Sequence, residues 1–75
     1  MAICYSCRNI RLGETGGGDT LIEALNATNN VIQMGIPAAG YEMLKGIINS
    51  AEKRGVCSSC ISDLYTLKRE VEKVL

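Results

Sequence analysis

The sequence predicts a mainly α fold, a small metal-stapled domain of three helices preceded by an N-terminal cysteine knuckle. Three observations predict it. Four cysteines fall as two C-x-x-C pairs near opposite ends of a 75-residue chain. Two amphipathic stretches with helix start and stop signals lie between the pairs, and a third apolar stripe begins at the second pair. The whole of 1–75 reads as one domain, because a chain this short builds a single core worth only a few kcal/mol and needs a staple to hold it.

Residues 1–12 form the first knuckle around Cys4-Tyr5-Ser6-Cys7. Two intervening residues let a tight turn aim both sulfurs at one centre, and a second such turn at Cys57-Ser58-Ser59-Cys60 completes a set of four thiolates. The sequence has no histidine, so Cys4, Cys7, Cys57 and Cys60 are the only complete four-ligand set. One structural zinc ion per chain is the expected cofactor. Iron uses the same ligands, and a disulfide framework or a redox dithiol is the remaining alternative. Four thiolates around zinc carry a formal charge of minus two, which Arg8, Lys53, Arg54 and the start of the last helix are placed to offset.

The segment 13–20, Gly-Glu-Thr-Gly-Gly-Gly-Asp-Thr, has the spacing of a phosphate-binding loop. Asp19 stands where that motif needs lysine and would repel phosphates, and no core strand precedes it. It therefore reads as a flexible link from knuckle to helix.

Thr20-Leu-Ile-Glu23 has the form of a capping box and starts a helix over 21–34. Its stripe is Leu21, Leu25, Thr28 and Ile32, and Gly35 is a natural left-handed stop. Pro37 suits the first turn of a second helix over 37–54, with Tyr41, Leu44, Ile48 and Ala51 as its stripe. The connection is so short that the two helices must be antiparallel, which returns the chain to the first knuckle. Gly40 and Gly46 weaken this helix, and close helix contact is the reason expected for them. The third helix spans 58–75. Cys57, Cys60, Leu64, Leu67, Val71 and Val74 follow steps of three and four, so one face points at the metal and then at a packing partner.

The knuckle at Cys4 to Arg8, together with the helix that donates Cys57 and Cys60 and runs to about Leu64, resembles the treble-clef group of zinc sites. A pair of helices stands where that group has a β-hairpin. Members bind proteins, nucleic acids or ligands, so the resemblance implies a metal site and leaves the target open.

Eight basic and eight acidic residues cancel, leaving no long-range field to hold nucleic acid or an anionic membrane. No run reaches the roughly eighteen apolar residues that span a bilayer, and no secretory signal opens the sequence, so the cytoplasm is the expected compartment. With no histidine, scattered carboxylates and a metal ion closed by four protein ligands, no enzymatic role is expected. The leading expectation is a zinc-binding protein-interaction module, an adaptor or inhibitor. It would meet a protein partner or a second copy through Leu64, Leu67, Val71 and Val74. The alternative is a nucleic-acid-binding module in which Arg8, Arg11, Lys53, Arg54, Lys68 and Arg69 converge, and the third is a C-x-x-C redox protein.

Overall fold

A computed structural model describes residues 3–13 and 20–75. Most of the glycine-rich link, 14–19, lies outside the described residues. The described residues are mainly helical, with four helices: α1 (Tyr5–Arg8), α2 (Leu21–Gln33), α3 (Pro37–Lys53) and α4 (Ser58–Glu72). The first of these is a single helical turn inside the knuckle, where the C-x-x-C spacing predicts a tight turn.

The capping box forms as its residue types require. Thr20 Oγ1 accepts from the Glu23 backbone N–H at 3.3 Å, and Glu23 Oε1 accepts from the Thr20 N–H at 3.3 Å and from its hydroxyl at 2.8 Å. Leu21, Ala24, Leu25 and Thr28 turn inward from α2. The buried Thr28 hydroxyl donates to the Ala24 carbonyl at 2.9 Å, so it is not stranded in the core. At the far end Gly35 takes φ +87°, its N–H reaches Ile32 O at 3.0 Å and the Ile36 N–H reaches Val31 O at 3.3 Å. This is a Schellman ending, and it turns the chain straight into Pro37.

Helix α3 lies between the other two long helices, antiparallel to both. Gly40 allows the close approach to α2: a Cβ there would overlap Ile32 Cγ1 and come within 3.6 Å of Thr28 O. Leu44, Ile47, Ile48 and Ala51 fill the centre from α3. Gly55, at φ +80°, ends the helix, and the Val56 N–H closes on Ala51 O at 3.1 Å. That turn delivers Cys57 to the mouth of the first knuckle.

Helix α4 stops at Glu72 rather than continuing to 75, because its last turn tightens. The Val74 N–H bonds Val71 O and the Leu75 N–H bonds Glu72 O, three residues back in each case. Its stripe packs inside its own domain. Leu64 is fully buried and Val71 is 5% exposed. The role of these two as partner contacts is thereby corrected: they are core residues, because α3 covers the face they share. Tyr41 couples the start of α3 to the end of α4, with its hydroxyl on Glu72 Oε1 at 2.9 Å and the Lys68 ammonium 5.7 Å from its ring centroid.

The segment after α1 returns beside the start of α2. Arg11 and Thr20 form an isolated antiparallel bridge, and the Leu21 N–H donates to Ile10 O at 2.9 Å. Leu12 is thereby driven into the core, where it is fully buried with Leu21, Leu44 and Leu64. No helix among the described residues is long and apolar enough to cross a membrane.

Candidate metal centre

The two C-x-x-C pairs have nearly the same backbone. Cys4 sits at φ −64°, ψ 154° before α1, and Cys57 sits at φ −63°, ψ 154° before α4. Each is the residue at which a helical turn begins, and its partner lies three residues on, where the turn brings it round to the same side. In both pairs the first cysteine is exposed and the second is buried.

The pairs also hold each other. The Cys4 N–H points at Cys60 Sγ across 3.3 Å, and the Cys57 N–H points at Cys7 Sγ across 3.4 Å. The arrangement is a local pseudo-twofold, in which the leading amide of each pair donates to the trailing sulfur of the other. Such donors stabilise thiolate sulfur and offset part of the charge of a metal–thiolate group.

All four sulfurs lie within 4.8 Å of one another, and Cys4 Sγ and Cys57 Sγ are 3.8 Å apart. Metal–sulfur bonds of about 2.3 Å in a tetrahedron place the sulfurs about 3.8 Å from each other, so the cluster already has nearly the size of a divalent ion's thiolate shell. The cysteines are free thiols. Their four sulfurs can supply every position of a tetrahedral ion, which is the donor set of a structural rather than an open catalytic site.

The thiols differ in acidity as their surroundings require. Cys57 is pulled down to about 7, first by the Cys60 backbone N–H at the start of α4 and then by the neighbouring thiols of Cys60 and Cys7. Cys60 accepts the Cys4 N–H, which lowers it, yet burial and the adjacent sulfurs outweigh that donor and push it up to about 12. Cys7 is treated similarly: the Cys57 N–H pulls it down, and Cys4 together with burial leaves it raised. A metal ion entering this cluster must displace the protons held on the buried pair. Neither α1 nor α4 has an acidic residue in its first turn, so the positive end of the α4 dipole is left to the sulfurs.

Sequence reading located all four sulfurs but overlooked the residue before each pair. Ile3 is half-buried against the core and Val56 is 7% exposed, so each knuckle is anchored by an apolar side chain immediately ahead of its first cysteine. The signal was present as a repeat, Ile3-Cys4-Tyr5-Ser6-Cys7 and Val56-Cys57-Ser58-Ser59-Cys60.

The remaining candidates are dispersed. On α4, Leu64 and Val71 are inside, Leu67 is half-buried and Val74 is 63% exposed. Arg8, Arg11, Lys53, Arg54 and Arg69 are exposed and Lys68 is half-buried. Arg54 lies against Gly13, where an added Cβ would come within 2.6 Å of its guanidinium, and Arg11 acts on the Glu23 carboxylate. Lys68 is held by Glu72 at 3.6 Å, and Arg69 donates to Thr66 Oγ1 at 3.4 Å. Lys68 lies eleven positions on from Cys57, about 16 Å at the helical rise, so Lys68 and Arg69 stand well along α4 from the cysteine end. Neither a protein-family model, nor a curated protein, nor a solved structure matches the chain.

Proposed function

We propose that the chain is a zinc-stapled protein-interaction module: the four cysteines hold one structural zinc ion, and the opposite end of the bundle docks another protein. The observation that carries this reading is the division of the molecule. Sulfur gathers at one end, within 4.8 Å, and apart from Tyr5 beside the cysteines and Tyr65 on α4, the exposed large apolar side chains lie on the α2–α3 turn and in the last residues past α4. Met34 is 73% exposed, Ile36 48%, Val74 63% and Leu75 57%. The Tyr41 to Glu72 hydrogen bond places the end of α4 beside the start of α3, next to the turn that carries Met34 and Ile36.

A closed set of four thiolates favours zinc, the common structural ion of such sites. In this reading zinc supplies cohesion and no chemistry, the molecule acts as an adaptor or inhibitor in the reducing cytosol, and of the four contacts expected along the α4 stripe Val74 is the one left largely exposed. A second copy of the chain is the partner that can be tested first. Sedimentation velocity on zinc-loaded protein over a wide concentration range is expected to show self-association that Met34→Asp and Val74→Asp each weaken by about tenfold, with zinc content unchanged. Monomers throughout, or association indifferent to both substitutions, would remove that partner.

A further inference from the structure

The pseudo-twofold of the cluster divides its sulfurs into two chemically different pairs. Cys7 and Cys60, the trailing members, are buried at 4% and 1% exposure and each accepts an amide N–H from the opposite knuckle. Cys4 and Cys57, the leading members, are exposed, and their sulfurs face each other at 3.8 Å although they lie 53 positions apart in sequence. An oxidant arriving from solvent therefore meets one sulfur from each end of the chain, already adjacent.

We propose that the site is a peroxide-sensitive staple: oxidation joins Cys4 to Cys57, expels the metal and leaves the fold closed by a disulfide in its place. This rests on the reading of the site as zinc-bound. One of the two exposed sulfurs attacks a peroxide oxygen, so that an S–O bond forms, the O–O bond breaks and hydroxide departs to take a proton. The other exposed sulfur then attacks that sulfenic sulfur, forming S–S and breaking S–O, and the second hydroxide leaves as water. Two thiolates lose two electrons, hydrogen peroxide gains them and becomes two waters, and two protons are consumed. The ion is left with Cys7 and Cys60 alone and dissociates as a divalent cation. Those two sulfurs then take up protons, as burial favours.

The consequence depends on which sulfurs pair. A bridge within either C-x-x-C pair closes a loop of a few residues and leaves the two ends of the chain unconnected. A Cys4 to Cys57 bridge closes a loop that contains α1, α2 and α3 and holds the two knuckles together as the ion did. Oxidation thus exchanges one staple for another, and reduction by a thiol restores the four-sulfur site.

The test uses the zinc-loaded full chain, its metal content first established by native mass spectrometry. Hydrogen peroxide is added in the presence of a chromogenic zinc chelator, the crosslink is mapped by mass spectrometry of unreduced peptides, and helicity is followed by circular dichroism. The expected result is one zinc released per disulfide, Cys4 to Cys57 as the dominant bridge, and helicity retained under chelator until a reductant is added. Bridges of Cys4 to Cys7 and Cys57 to Cys60, or helicity lost as zinc leaves, would overturn the inference while leaving the zinc reading standing. A reduced chain that carries no zinc at the outset would overturn both.

Discussion

Gly40 carries no side chain, and α2 and α3 meet where one would be. A methyl group there would press on Ile32 Cγ1, a branch atom of a residue that is stiff about χ1 within a helix and cannot swing aside freely. Two effects oppose each other in Gly40→Ala: helix propensity gains about 1 kcal/mol, and overpacking loses about 1–3 kcal/mol. The overlap wins, so the substitution is expected to destabilise the zinc-loaded protein by about 1 kcal/mol in chemical denaturation. Made in an Ile32→Ala background, it should become neutral or stabilising, and continued destabilisation there would contradict the close-contact account. The apolar positions of α4 separate by the same reasoning. Leu64→Ala removes a fully buried side chain and should cost about 3 kcal/mol, whereas Val74→Ala, at 63% exposure, should change stability by less than about 0.5 kcal/mol.

Helix α2 depends on its first turn. The Thr20 hydroxyl, and after it the Thr20 backbone N–H, hold the Glu23 carboxyl below its ordinary value of 4.5. A carboxyl depressed in the folded state stabilises that state at pH above its unfolded value and loses the contribution as pH falls through the depressed one. Thr20→Ala should therefore cost about 1 kcal/mol at neutral pH and return the Glu23 titration, followed by carboxyl NMR, toward 4.5. A Glu23 titration unmoved by the substitution would remove the reciprocal bond from the account. Helices α2 and α3 were legible because local chemistry specifies them: a capping box, glycines past the ends and a proline at the start. The turn α1 was not legible, since a four-residue helix has no periodicity to read. Its signal lay in the repetition of apolar-Cys-x-Ser-Cys around each pair. Which neighbour the α4 stripe faces was hidden too, because a seam spaced by threes and fours looks the same whether α3 or another molecule covers it.

Across the whole molecule, the cysteine pairs tie the N-terminal knuckle to the α3–α4 turn, at the end of the bundle away from the α2–α3 turn. Sequence spacing singled out the four cysteines that the fold brings together, because two C-x-x-C turns and no histidine admit a single set. The reciprocal N–H to sulfur contacts could not be read from it, since they arise only when α3 carries Val56 back to Ile3. Raised Cys60 and Cys7 thiols imply that metal binding at pH 7 releases protons, so calorimetry in buffers of different ionisation enthalpy should report proton release and an affinity that rises with pH. The most direct test of the tie is native mass spectrometry of the reduced chain followed by thermal unfolding with and without a strong zinc chelator. One zinc per chain is expected, with a melting temperature at least about 12 °C lower under chelation, corresponding to about 3 kcal/mol or more in a domain of this size. A chain that binds no metal, or that melts identically with the chelator present, would contradict it.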